Sequence, residues 1–145
     1  MPVADEQAAT LRAYLAGDFE GHQRLFSQLD RAAISQGYST LVSAAFCTAV
    51  GRRFAEDGSI AAVVNFVADV RARHLKDPDA IDPQVAERLI RAVYTDEEIA
   101  DLPRDAKFQT QFILLYPLVT DEQYGEVVLD EFLSEARKLA DDWLR

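Results

Sequence analysis

The chain has 145 residues, 49% apolar and 28% charged, and its 25 acidic against 15 basic side chains leave a formal net charge of −10. A surface of that sign repels phosphate backbones and anionic lipid heads and offers no basic stripe, which argues against nucleic-acid and membrane binding. A single cysteine, Cys47, excludes an internal disulfide framework and a CxxC zinc knuckle and fits a reducing compartment, so a cytoplasmic location is expected.

Residues 1–20 carry Asp5, Glu6 and Asp18 without a basic segment followed by an apolar run, so no secretory signal is expected. No uncharged stretch reaches the roughly 18–20 strongly apolar residues of a membrane span. The length suits one domain over residues 1–145 with one self-sufficient core.

In chain order, Leu11, Tyr14, Leu15, Phe19, Leu25, Phe26 and Leu29 follow helical spacing from Ala4 to about Asp30, with a break or bend near Gly17 and Gly21. From Tyr38 to Phe54 the positions Tyr38, Leu41, Val42, Ala45, Phe46, Ala49, Val50 and Phe54 mark the clearest helix. Adjacent apolar pairs at 41–42, 45–46 and 49–50 rule out strand alternation. Its other side carries Thr40, Ser43, Ala44, Cys47, Thr48 and Gly51, all small and uncharged, so both faces are expected to be buried with a close neighbour along the small one.

Ser59 is an expected N-cap for a helix running to about Lys76, and Asp82 followed by Pro83 starts another through Val85, Leu89, Ile90 and Val93. Thr95-Asp96-Glu97-Glu98 and Thr120-Asp121-Glu122-Gln123 both read as capping boxes. The first predicts a short helix ending at Pro103, and the second the start of the last helix at Asp121. Between them Asp105 starts a helix through Phe108, Phe112 and Leu115 that Pro117 should end or kink. In the last helix the residues Tyr124, Val128, Leu129, Phe132, Leu133, Ala136, Leu139, Ala140, Trp143 and Leu144 cover an arc of roughly 200°, about twice what one core face needs. The fold class read from this pattern is all-α: six or seven helices packed around a central helix at about 38–55.

The candidate ligand-binding residues are His22, in line with Leu25, Phe26 and Leu29, and His74, in line with Val63, Val67 and Val70. An imidazole on an apolar stripe loses hydration and needs partners for its nitrogens, or serves as a ligand. HExxH and Glu-x-x-His pairs are absent, as are GxSxG, SxxK, GxGxxG and GxxxxGK[ST], so no metal site, cofactor or catalytic residue is assigned. Tyr124, Leu129, Leu133 and Trp143 are the candidate interface residues, because the last helix has more apolar arc than one neighbour covers. The expected function is a non-catalytic interaction or regulatory module that self-associates, as a homodimer, or docks a protein partner through that helix. The alternative is a protein that binds a small apolar ligand or cofactor in a pocket near His22 or His74.

Overall fold

The computed structural model describes residues 2–145, and within them the chain is all-α, with seven helices and no strand. Helix α1 spans Asp5–Leu15, α2 Phe19–Ser27, α3 Ser39–Arg53, α4 Ile60–Arg73, α5 Pro83–Tyr94, α6 Arg104–Thr120 and α7 Glu126–Trp143. A π-helical stretch, Ala33–Tyr38, leads into α3, and a short 3-10 turn, Pro78–Ala80, precedes α5.

The helix starts follow local hydrogen-bond chemistry. The Asp18 carboxylate accepts from the Gly21 N–H at 2.9 Å, Ser59 Oγ from the Ala62 N–H at 3.2 Å, and Asp82 Oδ1 from the Gln84 N–H at 2.9 Å. Each supplies an acceptor to a first-turn donor that has no partner inside its own helix. Gly17, at φ +84°, turns the chain between α1 and α2 in the left-handed region that glycine tolerates.

The α3 helix is the centre of the bundle. Leu41, Val42, Ala44, Ala45, Phe46 and Val50 are fully buried, and α6 and α7 cover most of the helix, with α5, α1 and the π-helical stretch completing its surround. Alanine at 44, 45 and 49 lets those neighbours come close. The small side is not sealed throughout as expected. Thr40, Ser43, Cys47 and Thr48 are half-buried and Gly51 is exposed. The side chains there are too short to fill the space next to α6, and a hollow remains.

Three boundaries differ from expectation for one chemical reason. The α5 helix ends at Tyr94 and α6 at Thr120, so both Thr-Asp-Glu motifs stand at helix C-termini. Thr95 Oγ1 donates to the Arg91 carbonyl at 2.7 Å and Thr120 Oγ1 to the Tyr116 carbonyl at 2.9 Å. Facing backward, each hydroxyl occupies a carbonyl four residues earlier. No helix forms over 95–103, where Arg88 and Arg91 of α5 hold Asp101 and Glu97 at 2.7 and 2.9 Å and fold the segment back. The last helix therefore starts at Glu126, not Asp121, after a turn in which Gln123 takes φ 53°.

Pro117 does not end α6, which continues through it to Thr120. Proline leaves the Ile113 carbonyl without its usual intrahelical donor. The neighbouring Phe112 carbonyl accepts from the Tyr14 hydroxyl at 3.0 Å, and Tyr14 stacks on the Phe112 ring with centroids 4.1 Å apart. These contacts from α1 brace the helix just before the proline.

Candidate functional site

The wide apolar arc of α7 beds into its own chain. Leu129, Phe132, Leu133, Ala136 and Ala140 face α3 and α1, and Leu133 is only 9% exposed. Leu129 and Leu133 therefore contribute most of their surface to this chain's own core. Tyr124 lies in the turn before α7, where its ring packs on Phe132 at 5.7 Å and its hydroxyl accepts from Arg52 Nη1 at 3.3 Å. Tyr124 and Leu129 also line a hollow of about 310 Å³ with Arg12, Tyr116 and Gln123. The apolar side chains that α7 turns outward are Val127, at 71% exposure, and Val128.

His22 stands in an aromatic cluster built by four elements. Its ring lies 5.3 Å from Tyr14, 5.8 Å from Phe26 and 5.5 Å from Phe112, and its Nε2 shares a 2.9 Å hydrogen bond with the fully buried Tyr38 hydroxyl. Desolvation lowers the His22 pKa and raises that of Tyr38. This imidazole is occupied as a packing and hydrogen-bonding element.

His74 departs from the expected core stripe. The α4 helix stops at Arg73, and His74, its C-cap, still donates its N–H to the Val70 carbonyl at 2.9 Å but lies at the surface edge with its side chain about a quarter exposed, whereas Val63, Val67 and Val70 are buried. There Nε2 stands 3.5 Å from Asp121 Oδ1, and Asp69 completes a group of three side chains whose donor atoms lie within 4.8 Å of one another. Sequence spacing missed this set because Asp121 comes from the far end of α6.

Trp143 belongs to a different site. At about 100° per residue it follows the line of Phe132 and Ala136 on the inward side of α7. It is 49% exposed because the helix ends beside an open hollow. That hollow, about 410 Å³, is lined by Ser39, Thr40 and Ser43 of α3, Arg104, Lys107, Phe108 and Gln111 of α6, Ile99 and Trp143. An adjoining hollow of about 300 Å³ shares Ser39, Arg104 and Phe108 and adds Ile34, Ser35 and Asp105. The short side chains of α3 leave the space, and the indole and phenyl rings give it apolar walls.

The charged side chains lining the first hollow, Arg104 and Lys107, are both cationic, while Asp105 lines the adjoining one. Arg104 and Lys107 form no ion pair among the described residues, while most other arginines do. The hydroxyl partners are not bases: Ser43 Oγ donates to Gln111 Oε1 at 2.8 Å and Ser39 Oγ to the Ser35 carbonyl at 2.7 Å. Neither serine has the activating group a nucleophile needs. Burial raises the pKa of the Cys47 thiol, which disfavours its reactive thiolate. The arrangement can hold an anionic group beside an apolar one.

Comparison of the chain with protein-family models, with curated protein sequences and with solved structures gives no match. Among the described residues, no helix is long and apolar enough to cross a membrane.

Proposed function

We propose that this chain is a non-catalytic helical binding module that docks an acidic, apolar segment of a partner protein in the groove between α3, the start of α6 and the end of α7. The observation that carries the reading is the placing of Arg104 and Lys107, neither of them in an ion pair among the described residues, beside the rings of Trp143 and Phe108 in a chain of net charge −10. At physiological salt the screening length is about 8 Å, so an approaching carboxylate responds to the charges lining the groove more than to the distant acidic surface. The groove is open along its length, which suits a protein segment better than a small molecule that must be enclosed on most sides. Aromatic rings and arginine are also the side chains that most often dominate binding energy. The lone cysteine fits action in the cytoplasm.

Trp143 is the only tryptophan, so its emission reports on this groove. Titration with amphipathic peptides of acidic and of basic character tests the reading. Acidic peptides should shift the emission and basic ones should not, and an Arg104→Glu, Lys107→Glu double change should weaken binding by about tenfold or more. Emission indifferent to acidic peptides, or equal binding by the charge-reversed protein, would overturn it.

A further inference from the structure

We propose that Asp69, His74 and Asp121 form a binding site for a divalent transition cation of the zinc type. The site lies outside the groove and does not depend on it. The three side chains come from the body of α4, its C-cap and the residue after α6, and their donor atoms all lie within 4.8 Å of one another.

His74 Nε2 and Asp121 Oδ1 are 3.5 Å apart, too far for a good imidazole–carboxylate hydrogen bond. Two ligands bound at roughly 2.1 Å to one tetrahedral ion stand about 3.4 Å apart, so the pair needs almost no movement to share a cation. Asp69 needs a side-chain rotation to close the remaining gap. One imidazole and two carboxylates make a mixed nitrogen and oxygen set, which suits zinc and its neighbours better than calcium or magnesium, whose ligands are oxygens.

The surrounding charges fit an exchangeable cation. Arg73 donates to both Asp69 oxygens at 2.7 and 3.0 Å, and Arg53 Nη1 lies 3.7 Å from Asp121 Oδ2 and from Glu122 Oε1. These guanidinium groups offset the carboxylates when no metal is bound. Arg73 is largely exposed, so it can swing into water as the metal takes Asp69. A solvent-open hollow lined by Arg53, Phe54, Asp57, Asn65 and Asp69 provides the way in. Water fills the remaining coordination position.

Calorimetric titration of chelator-treated protein with zinc chloride tests the site. One zinc should bind per chain, His74→Gln and Asp121→Asn should each weaken binding by about tenfold or more, and His22→Gln should leave it unchanged. Arg73→Ala should tighten binding, because it frees Asp69 from its competitor. That increase would not arise from unspecific attraction of zinc to an acidic surface. Far-UV circular dichroism establishes that the variants fold. In the native protein, zinc should shift the His74 ring resonances and leave those of His22 in place, a readout that needs no variant. Absence of binding at millimolar zinc, unchanged affinity in both ligand variants, or a shift at His22 instead of His74 would overturn the proposal.

Discussion

Nε2 of His22 and the hydroxyl of Tyr38 lie 2.9 Å apart, and the tyrosine is fully buried. Burial of the imidazole lowers its pKa from the ordinary 6.5, so between that value and the folded one the unfolded chain binds more protons than the native protein. Stability is therefore full above about pH 6.5 and falls as pH drops through this window. Thermal unfolding of the native protein from pH 7.5 to 5.5 should show the decline, and His22→Gln should flatten it. Tyr38→Phe should cost about 1–2 kcal/mol at pH 7, because the ring nitrogen loses its partner.

Two glycines should respond to alanine with opposite signs. A Cβ at Gly37 would meet the Gln7 amide at 2.3 Å, and that amide is fixed by accepting from the Ala4 N–H at 2.8 Å and donating to the Ala33 carbonyl at 3.1 Å. Gly37→Ala should lose about 1–3 kcal/mol. A Cβ at Gly51 on α3 meets nothing within 4 Å, and Gly51→Ala should gain about 0.5–1 kcal/mol by helix propensity. Urea unfolding of both variants measures the pair.

The segment before α1 is clasped to α7. The Val3 N–H donates to Asp141 Oδ1 at 2.7 Å, and Arg137 donates to the Val3 carbonyl at 2.7 Å and to Asp5 at 2.8 Å. Asp141→Ala should raise the hydrogen-exchange rate of the Val3 amide by about tenfold or more while the α3 core amides stay protected. Unchanged exchange would mean that burial of Val3 alone secures the segment.

Cys47 should be slow toward thiol reagents. Its half-buried sulfur has a pKa raised by desolvation, so little thiolate exists near neutral pH. Labelling of native protein should run about tenfold or more slower than that of the chain in denaturant, read by the absorbance of the released chromophore.

The parts of the fold legible in the sequence are those set by nearest neighbours. Asp18, Ser59 and Asp82 cap helices because one side chain and one amide a few residues on suffice to define the geometry. The 41–50 stripe marks a buried helix because periodicity and burial are the same property on a rod. The outcome at Thr95 and Thr120 is not legible because a hydroxyl can donate backward to a finished helix, as both do, even while it accepts forward, as Thr95 does from the Glu97 N–H at 3.2 Å. The candidate sites needed tertiary contact. Trp143 reads as an outward residue until the short side chains at 40 and 43 are found opposite it, and the Asp69, His74 and Asp121 set exists only because α6 returns its end to α4.

Because α3 is roofed by α6 and α7, a chain emerging from the ribosome has made its central rod long before the pieces that shelter it. Until residues 104–143 appear, Phe46 and its neighbours lack most of their cover. Nascent lengths ending near residue 95, which hold that rod without its roof, are the ones expected to recruit chaperones or to clump.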